Sequence, residues 1–492
     1  MSALVRKRNT KYYVHTLICF AFMFLFGLLP PFAEEITPTG MQAIGILLGL
    51  CWGWSFIEMI WPSILSFIAM VWWNLDTLEN ANMFGFGNNI VMVVVFMCIF
   101  AYYLDKTGLI TWIAEWFISR KIATGRPWVM VWLIGSCACV ITGILTNPYP
   151  AILLSWGVVF SICDHTGIKP KTDQAAVLLG AVILGAAYGC LFFPWAITAY
   201  TYNSLLVSAI GTSIGYVNMM VCYMTFGILS VAIYSILCKF ILRIDMSSLT
   251  KDESLYAKYR NQKMNANQKI GFIVLLTFMI LLTAASVIPA DFPILGVVAA
   301  KLNAYNVVGL GMVIVIALSI IRDRKSGEAV YDIGDFCRNG IKWELYFMLA
   351  ATMPIANVIE SEEAGLMDWF VATFMPILSE LSPFMCLIVA IVLFMLITQL
   401  VHNFVLGVVF IPLLAPLLAE LGVNPIIFGM AMSLGLSNAF ITPASSGNSS
   451  LMYANREWIT PKLAYKYMTV SFIGTTVLLV GIYIPGMWLL LN

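Results

Sequence analysis

Gly108-Leu109-Ile110-Thr111-Trp112 and Gly365-Leu366-Met367-Asp368-Trp369 are two copies of one short pattern, G-L-x-x-W, in a chain of 492 residues. The stretch downstream of each copy repeats as well. Thr142-x-x-x-Thr146-Asn147 comes after the first, and Thr398-x-x-x-His402-Asn403 comes at nearly the same interval after the second. Each half then has another asparagine in a matching setting, Asn203-Ser204-Leu205-Leu206 and Asn448-Ser449-Ser450-Leu451. The chain reads as an internal duplication whose halves carry polar breaks inside apolar runs. Interrupted hydrophobic segments at corresponding places in two halves are the sequence pointer to the site of a secondary transporter.

The rest of the composition agrees with a lipid environment. Hydrophobic residues make up 61% of the chain and charged ones 10%, against about a quarter charged in soluble proteins. The net charge of +1 says nothing about partners, and with no polybasic block or acidic tail nothing suggests nucleic acid. Eleven cysteines lie mostly in apolar stretches without a C-x-x-C pair, so neither a zinc site nor a disulfide framework is indicated. Arg6, Lys7, Arg8 and Lys11 precede an apolar run to Pro31 that lacks a signal peptide's short core and cleavage site. It reads as a retained first transmembrane helix.

Spans of roughly 20 apolar residues fall at 12–32, 40–54, 56–75, 88–105, 174–205, 213–241, 269–289, 304–321, 341–360, 425–455 and 466–490. Two more apolar regions, 127–164 and 383–420, are broken in the middle and fit either two spans or one re-entrant hairpin each. Basic residues decide between these, because they concentrate on the cytoplasmic side. With a cytoplasmic N-terminus and both regions as hairpins, Arg120, Lys121, Arg126, Lys239, Arg243, Lys258, Arg260, Lys263, Arg322, Arg324, Lys325, Arg338, Lys342, Arg456, Lys462 and Lys466 all face the cytoplasm. Glu34, Glu35, Asp76, Glu79, Glu362, Glu363 and Glu380 face outside, and Lys301 is the main dissenter. Treating every apolar segment as a plain span would spoil this asymmetry.

The expected fold is an all-α polytopic membrane protein of about eleven transmembrane helices plus two re-entrant hairpins, with an inverted-topology repeat. Residues 1–39 hold the first helix, 40–242 the first repeat with its hairpin at 127–164 on the cytoplasmic side, 243–268 a cytoplasmic linker, and 269–492 the second repeat with its hairpin at 383–420 outside. The C-terminus falls outside. Short loops suit a bacterial inner membrane.

Irregular backbone at membrane depth is tolerated only where it lines a cavity or is buried in protein. Four such places stand out: the tips Thr146-Asn147-Pro148-Tyr149-Pro150 and His402-Asn403-Phe404, and the interruptions Pro194–Asn203 and Thr442–Asn448. Helix ends exposed there offer N–H groups to anions, while free carbonyls and Asn and Thr oxygens offer pockets to a small cation. Asn, Ser and Thr more often only join helices in membranes; recurrence in register within two halves favours a site. His402 is an ionisable residue at membrane depth and so a possible protonation switch. Trp195, Tyr200, Tyr202 and Phe404 read first as packing residues.

At these residues the chain resembles the divalent anion/sodium symporter family of the ion transporter superfamily, over nearly its whole length. Besides the tips and interruptions, the Gly40–Ile46 and Trp52-Gly53-Trp54 region carries the likeness. Family members have Ser-Asn-Thr at each tip; here the matches are Thr146-Asn147-Pro148 and His402-Asn403-Phe404, so both asparagines are kept and both threonines are replaced. The resemblance implies substrate contacts at Asn147, Pro148, Asn403, Phe404, Thr201, Asn203, Ser445, Ser446 and Asn448. It implies sodium ligands at Thr142, Thr146, Asn147 and the Ala199 carbonyl, and at Thr398, Asn403 and the Ala444 carbonyl. It also implies a homodimer with a scaffold and a moving transport domain, an elevator-type transporter. Phe404 adds bulk where the family has a hydroxyl, which points to a different carboxylate.

The expected function is sodium-coupled secondary transport of a small organic anion, a di- or tricarboxylate, with no other cofactor. A sodium-independent exchanger or proton-coupled carrier switched by His402 is the alternative within transport. A membrane enzyme or channel is a third class; no intramembrane carboxylate pair, Ser/His/Asp set or metal cluster is visible in the sequence.

Overall fold

Every long apolar run folds as helix, as lipid demands of a backbone whose polar groups must pair internally. The computed structural model describes residues 10–120, 122, 125–250, 263–289, 291–322, 329–443 and 445–491. Arg6, Lys7, Arg8, Lys121, Lys258, Arg260, Arg324, Lys325 and Ala444 lie outside the described residues.

Helix α1 (Thr10–Leu25) packs on α2 (Pro38–Phe56). There follow α3 (Ile60–Trp72), α4 (Leu78–Phe84), α5 (Asn89–Lys106), α6 (Leu109–Ile118), α7 (Pro127–Leu145), α8 (Pro148–Thr166), α9 (Asp173–Gly189), α10 (Ile197–Ile210) and α11 (Tyr216–Ile236). The second half comprises α12 (Ala266–Val287), α13 (Leu295–Ile320), α14 (Ile333–Asn339), α15 (Trp343–Glu360), α16 (Leu366–Leu378), α17 (Pro383–Ile397), α18 (Asn403–Glu420), α19 (Pro425–Leu436), α20 (Gly447–Ala454) and α21 (Pro461–Leu478), with α22 (Ile484–Leu491) beyond it.

The order of elements in α2–α11 recurs in α12–α21. Each set has a seven-residue helix as its third member, a hairpin as its sixth and seventh, and a helix broken in two as its eighth and ninth. Both last helices run into a π-helical turn, at Leu237–Ile241 and Leu479–Tyr483. Gly108 (φ +73°) and Gly365 (φ +65°) cap α6 and α16 in the left-handed region, which side chains other than glycine seldom adopt. The repeated G-L-x-x-W pattern is thus a repeated turn.

Contacts between the halves are reciprocal. Thr37, which caps α2, donates its N–H to Ala364 O at 3.2 Å, beside the Gly365 turn. Gln268, in the capping box that opens α12, donates to Gly108 O at 3.2 Å. Likewise α10 packs on α18 while α20 packs on α8. When patch A of one unit meets B of the other and B meets A, the units are related by a two-fold. Tyr102, near the end of α5, donates to Asp335 at 3.2 Å, so the Gly108 turn lies by the start of α15, whereas Gly365 follows its end. An 18-residue helix, about 27 Å long, separates the two turns, which therefore sit at opposite faces.

Among the described residues eight helices are long and apolar enough to cross a membrane, including α7 and α18, and four shorter apolar ones accompany them. The chain is an integral membrane protein.

Candidate functional site

In the first hairpin α7 ends at Thr146, which adopts φ +51°, and α8 starts at Pro148, where a missing N–H costs no helical bond. Asn147 between them caps α8, its Oδ1 accepting the Tyr149 N–H at 3.1 Å. Thr142 stands one turn before Thr146, on the same helix face, and all three residues are buried.

In the second hairpin α17 ends at Thr398 and α18 starts at Asn403. Asn403 touches both halves. Its N–H donates to Ser445 O at 3.0 Å, its carbonyl accepts the Tyr202 hydroxyl at 3.2 Å, and its Oδ1 accepts the Phe404 N–H at 2.9 Å. The same Phe404 N–H approaches His402 Nδ1 at 3.3 Å, so that ring nitrogen acts as an acceptor. Phe404 stacks on Tyr202 with ring centroids 5.8 Å apart. The tip docks on the break of an interrupted helix, as the tip of a re-entrant hairpin would.

The break between α9 and α10 covers 190–196, narrower than the sequence reading of Pro194–Asn203. Helix α9 has already ended at Gly189, Pro194 lies inside the gap, and nothing beyond it prevents a restart at Ile197, so Ala199, Thr201 and Asn203 lie within α10. Asn203 ties the loop after α10: its Oδ1 accepts the Ile214 N–H at 2.8 Å and its Nδ2 donates to Ser213 at 3.3 Å. The break itself is aromatic, with Phe193 and Trp195 stacked at 4.4 Å.

The break between α19 and α20, 437–446, is polar. Ser446 caps α20 through the Ser449 N–H (3.2 Å) and donates to Ala439 O (2.8 Å), while the Ser445 hydroxyl donates to Thr442 O (2.7 Å). Asn448 is buried in the first turn of α20. The sequence reading missed Gln399. Its Oε1 accepts the N–H groups of Phe440 (3.1 Å) and Ile441 (2.9 Å), and its Nε2 donates to Asn438 O (2.6 Å). Its carbonyl accepts the Thr442 hydroxyl. One signal was available: a buried glutamine inside an apolar hairpin needs partners.

Five threonine hydroxyls are buried without a hydrogen-bond partner among the described residues, and four belong to Thr142, Thr146, Thr201 and Thr398. A buried polar group left unpaired costs about 1–3 kcal/mol. Thr142 abuts the end of α9 at Gly189, and the adjacent Gly143 abuts Phe192 and Phe193, so the last turn of α7 faces the first break.

Paired hairpins beside paired helix breaks, with unpaired hydroxyls on the residues that flank them, are the arrangement of the inverted-repeat class of membrane proteins. The model of the citrate transporter family CitMHS matches residues 46–435, and the chain belongs to that family, within the ion transporter superfamily. An uncharacterized transporter of Synechocystis sp. is 25% identical over 23% of this chain and 18% of its own length. Na(+)/dicarboxylate cotransporter 3 of Homo sapiens is 23% identical over 28% of this chain and 22% of its own. The matched segments therefore span about a fifth of these relatives. Among solved structures, the YdaH transporter of Alcanivorax borkumensis shares the fold with a TM-score of 0.50 and 16% identity, covering 98% of this chain and 99% of that one. MtrF of Neisseria gonorrhoeae, from a class of antimetabolite efflux pumps, gives 0.53 and 15% over 96% and 95%.

Proposed function

We propose that this protein is a secondary active transporter of di- or tricarboxylates, coupled to sodium, in which the hairpin-bearing core of a homodimer moves as an elevator. The observation that carries the reading is the set of unpartnered hydroxyls at Thr142, Thr146, Thr201 and Thr398. Neutral oxygens without a donor suit a small hard cation, which would meet their missing bonds. The helix start at Gly447 offers N–H groups to a carboxylate, whereas at the start of α8 two prolines and the Asn147 cap leave the side-chain amide of Asn147 as the donor. Family membership supports citrate as the first substrate to try, and the names of the human and mouse relatives support dicarboxylates with sodium.

Binding the ion first would complete the threonine oxygens and stiffen both hairpins, and the anion would then bind against a partly neutralised, ordered site. In this scheme Asn147 and Asn403 contact the substrate and help shape the cation sites. Pro148 and Phe404 beside them, with Ser445, Ser446 and Asn448, bound the pocket, and the carbonyls of Ala199 and Ala444 contribute to the cation sites. The test is uptake of labelled citrate and succinate into proteoliposomes with a sodium gradient, against choline. Asn403→Ala should abolish uptake while the protein stays folded; normal uptake by that variant would sink the site assignment.

A second reading has one observation in its favour. His402 Nδ1 accepts a backbone N–H, so protonation there would replace an attraction with a repulsion and loosen the tip. Uptake in choline that is driven by an inward proton gradient, and is lost in His402→Gln, would replace sodium with the proton as the coupling ion.

A further inference from the structure

Beside the first hairpin lies a cavity of about 180 Å³ that neither the repeat pattern nor the hairpin tips anticipate. It is smaller than the roughly 300–1,000 Å³ of sites for drug-sized ligands, a volume for a small metabolite. It is lined by the hairpin tip, with Leu145, Asn147 and Pro150, by the end of α5, with Tyr102 and Asp105, and by the segment before α15, with Asn339 and Lys342. Among its described lining residues Lys342 is the one cation and Asp105 the one anion, and no ion pair joins them. Lys342 is half-buried, so its charge acts through less water than a surface lysine's. Nearby Arg338 already pairs with Asp332 at 3.4 Å. The charge pattern of the sequence assigns this end of α15 to the cytoplasm.

We propose that this cavity is a vestibule for the anionic substrate on the cytoplasmic side, in which Lys342 holds a carboxylate next to Asn147 before it enters or after it leaves the site at the hairpin tip. The proposal rests on the carboxylate-transport reading above. It supplies what the hairpin tips lack, a positive charge for the substrate. Asp105 lines the same cavity, and its charge keeps the dwell short: a carboxylate is attracted enough to enter and repelled enough to go on.

The experiment uses the full chain in proteoliposomes with citrate as the probe. Lys342→Gln should raise KM for citrate presented on the vestibule side roughly tenfold, as expected for one partly buried charge, with Vmax within about twofold. Lys342→Arg should restore most of the affinity, and Asp105→Asn should lower KM. Unchanged KM in Lys342→Gln, with wild-type uptake intact, would overturn the vestibule while leaving the function standing.

A second readout needs no substrate. A cysteine at exposed Asn339, with Cys98 and Cys337 replaced by serine, is modified with an anionic and a cationic thiol reagent. Replacing Lys342 by glutamine should shift the ratio of rates roughly tenfold toward the cationic reagent. An unshifted ratio overturns the proposal even if citrate proves not to be carried, a result that by itself would count against the substrate choice alone.

Discussion

The break between α9 and α10 is filled with rings, and the break between α19 and α20 is bonded by amides and hydroxyls. Both face the same demand, since a helix interrupted at membrane depth exposes N–H and C=O groups that lipid cannot satisfy. The first meets it with its own backbone: Leu191 donates to Tyr188 O, Phe192 to Gly189 O and Ala196 to Phe193 O, at 2.9–3.1 Å, and aromatic rings exclude water from the outside. The second, longer break imports side chains, above all Gln399, with Ser446, Ser449 and Tyr453. The two-fold therefore relates backbones and not chemistry. A break closed by packing is sensitive to volume, whereas one closed by side-chain bonds is sensitive to the loss of the side chain that takes most of them, here Gln399.

The largest expected effect tests the packing side of this contrast. A Cβ at Gly185 would overlap the Gly135 carbonyl oxygen, backbone against backbone, where α9 crosses α7. At Gly435 of α19 it would meet Ile391 Cγ2 at 3.0 Å and Met395 Cγ at 3.3 Å, both in side chains that can yield. Gly185→Ala should cost about 3 kcal/mol or more and leave little folded protein in detergent size-exclusion chromatography. Gly435→Ala should elute as wild type; equal damage by both would break the comparison.

Next comes the amide. Gln399→Ala strands the N–H groups of Phe440 and Ile441, and should cost about 2–4 kcal/mol, read as a clear fall in the thermal midpoint of the purified protein. Phe193→Leu in the aromatic break should cost about 1–2 kcal/mol. A larger loss from the phenylalanine would reverse the assignment of which break depends on a single residue.

The paired asparagines sharpen the contrast at smaller scale. Asn203→Ala should cost about 1–2 kcal/mol by freeing the loop at Ser213 and Ile214, with KM changed less than about twofold. A large rise in KM at unchanged stability would return Asn203 to the substrate.

The smallest effect concerns the ion pair that joins the two regions. Lys466 donates to Asp173 at 2.7 Å and Tyr467 to the same oxygen at 2.6 Å, linking the start of α9 to α21. These bonds hold the Asp173 carboxyl below its ordinary range. The stability they give is complete above the unfolded pKa near 3.9 and is lost as pH falls through the lowered folded value. With both side chains partly exposed, Asp173→Asn should cost under about 1 kcal/mol at neutral pH, and its difference from wild type should vanish in acid. A difference that persists below pH ~3 would mean the asparagine disturbs packing instead.

Much of this was legible in the sequence because it depends on local backbone chemistry. A glycine before L-x-x-W marks a left-handed cap, and prolines after Asn147 mark the start of α8. The runs 174–205 and 425–455 were readable as interrupted, and each is two helices, Asp173–Gly189 with Ile197–Ile210 and Pro425–Leu436 with Gly447–Ala454. Of the four threonines with unpaired hydroxyls, Thr142, Thr146 and Thr398 stood in the repeated pattern, and Thr201 came only through the family resemblance. What escaped the reading depends on partners distant in sequence. Gln399 bonds atoms about forty residues on, and nothing next to it announces them. The short helices α4 and α14 were likewise unread, being too brief for a hydrophobic period to register. Asn203 was legible as an asparagine in a matching setting, but its direction was not, because which side of a helix meets a neighbour is set by tertiary packing.

The reciprocal bonds between the halves also bear on how the chain is made. Gly108 presents a carbonyl that is met by Gln268, 160 residues later, and Thr37 waits for Ala364, 327 residues later. At roughly 5–20 residues per second of synthesis, the first half spends on the order of ten seconds or more in the bilayer with those groups unmet. During that interval its α2 and Gly108 turn depend on water at the two membrane faces, and the insertion machinery holds half a protein that closes only when the second half arrives upside down beside it.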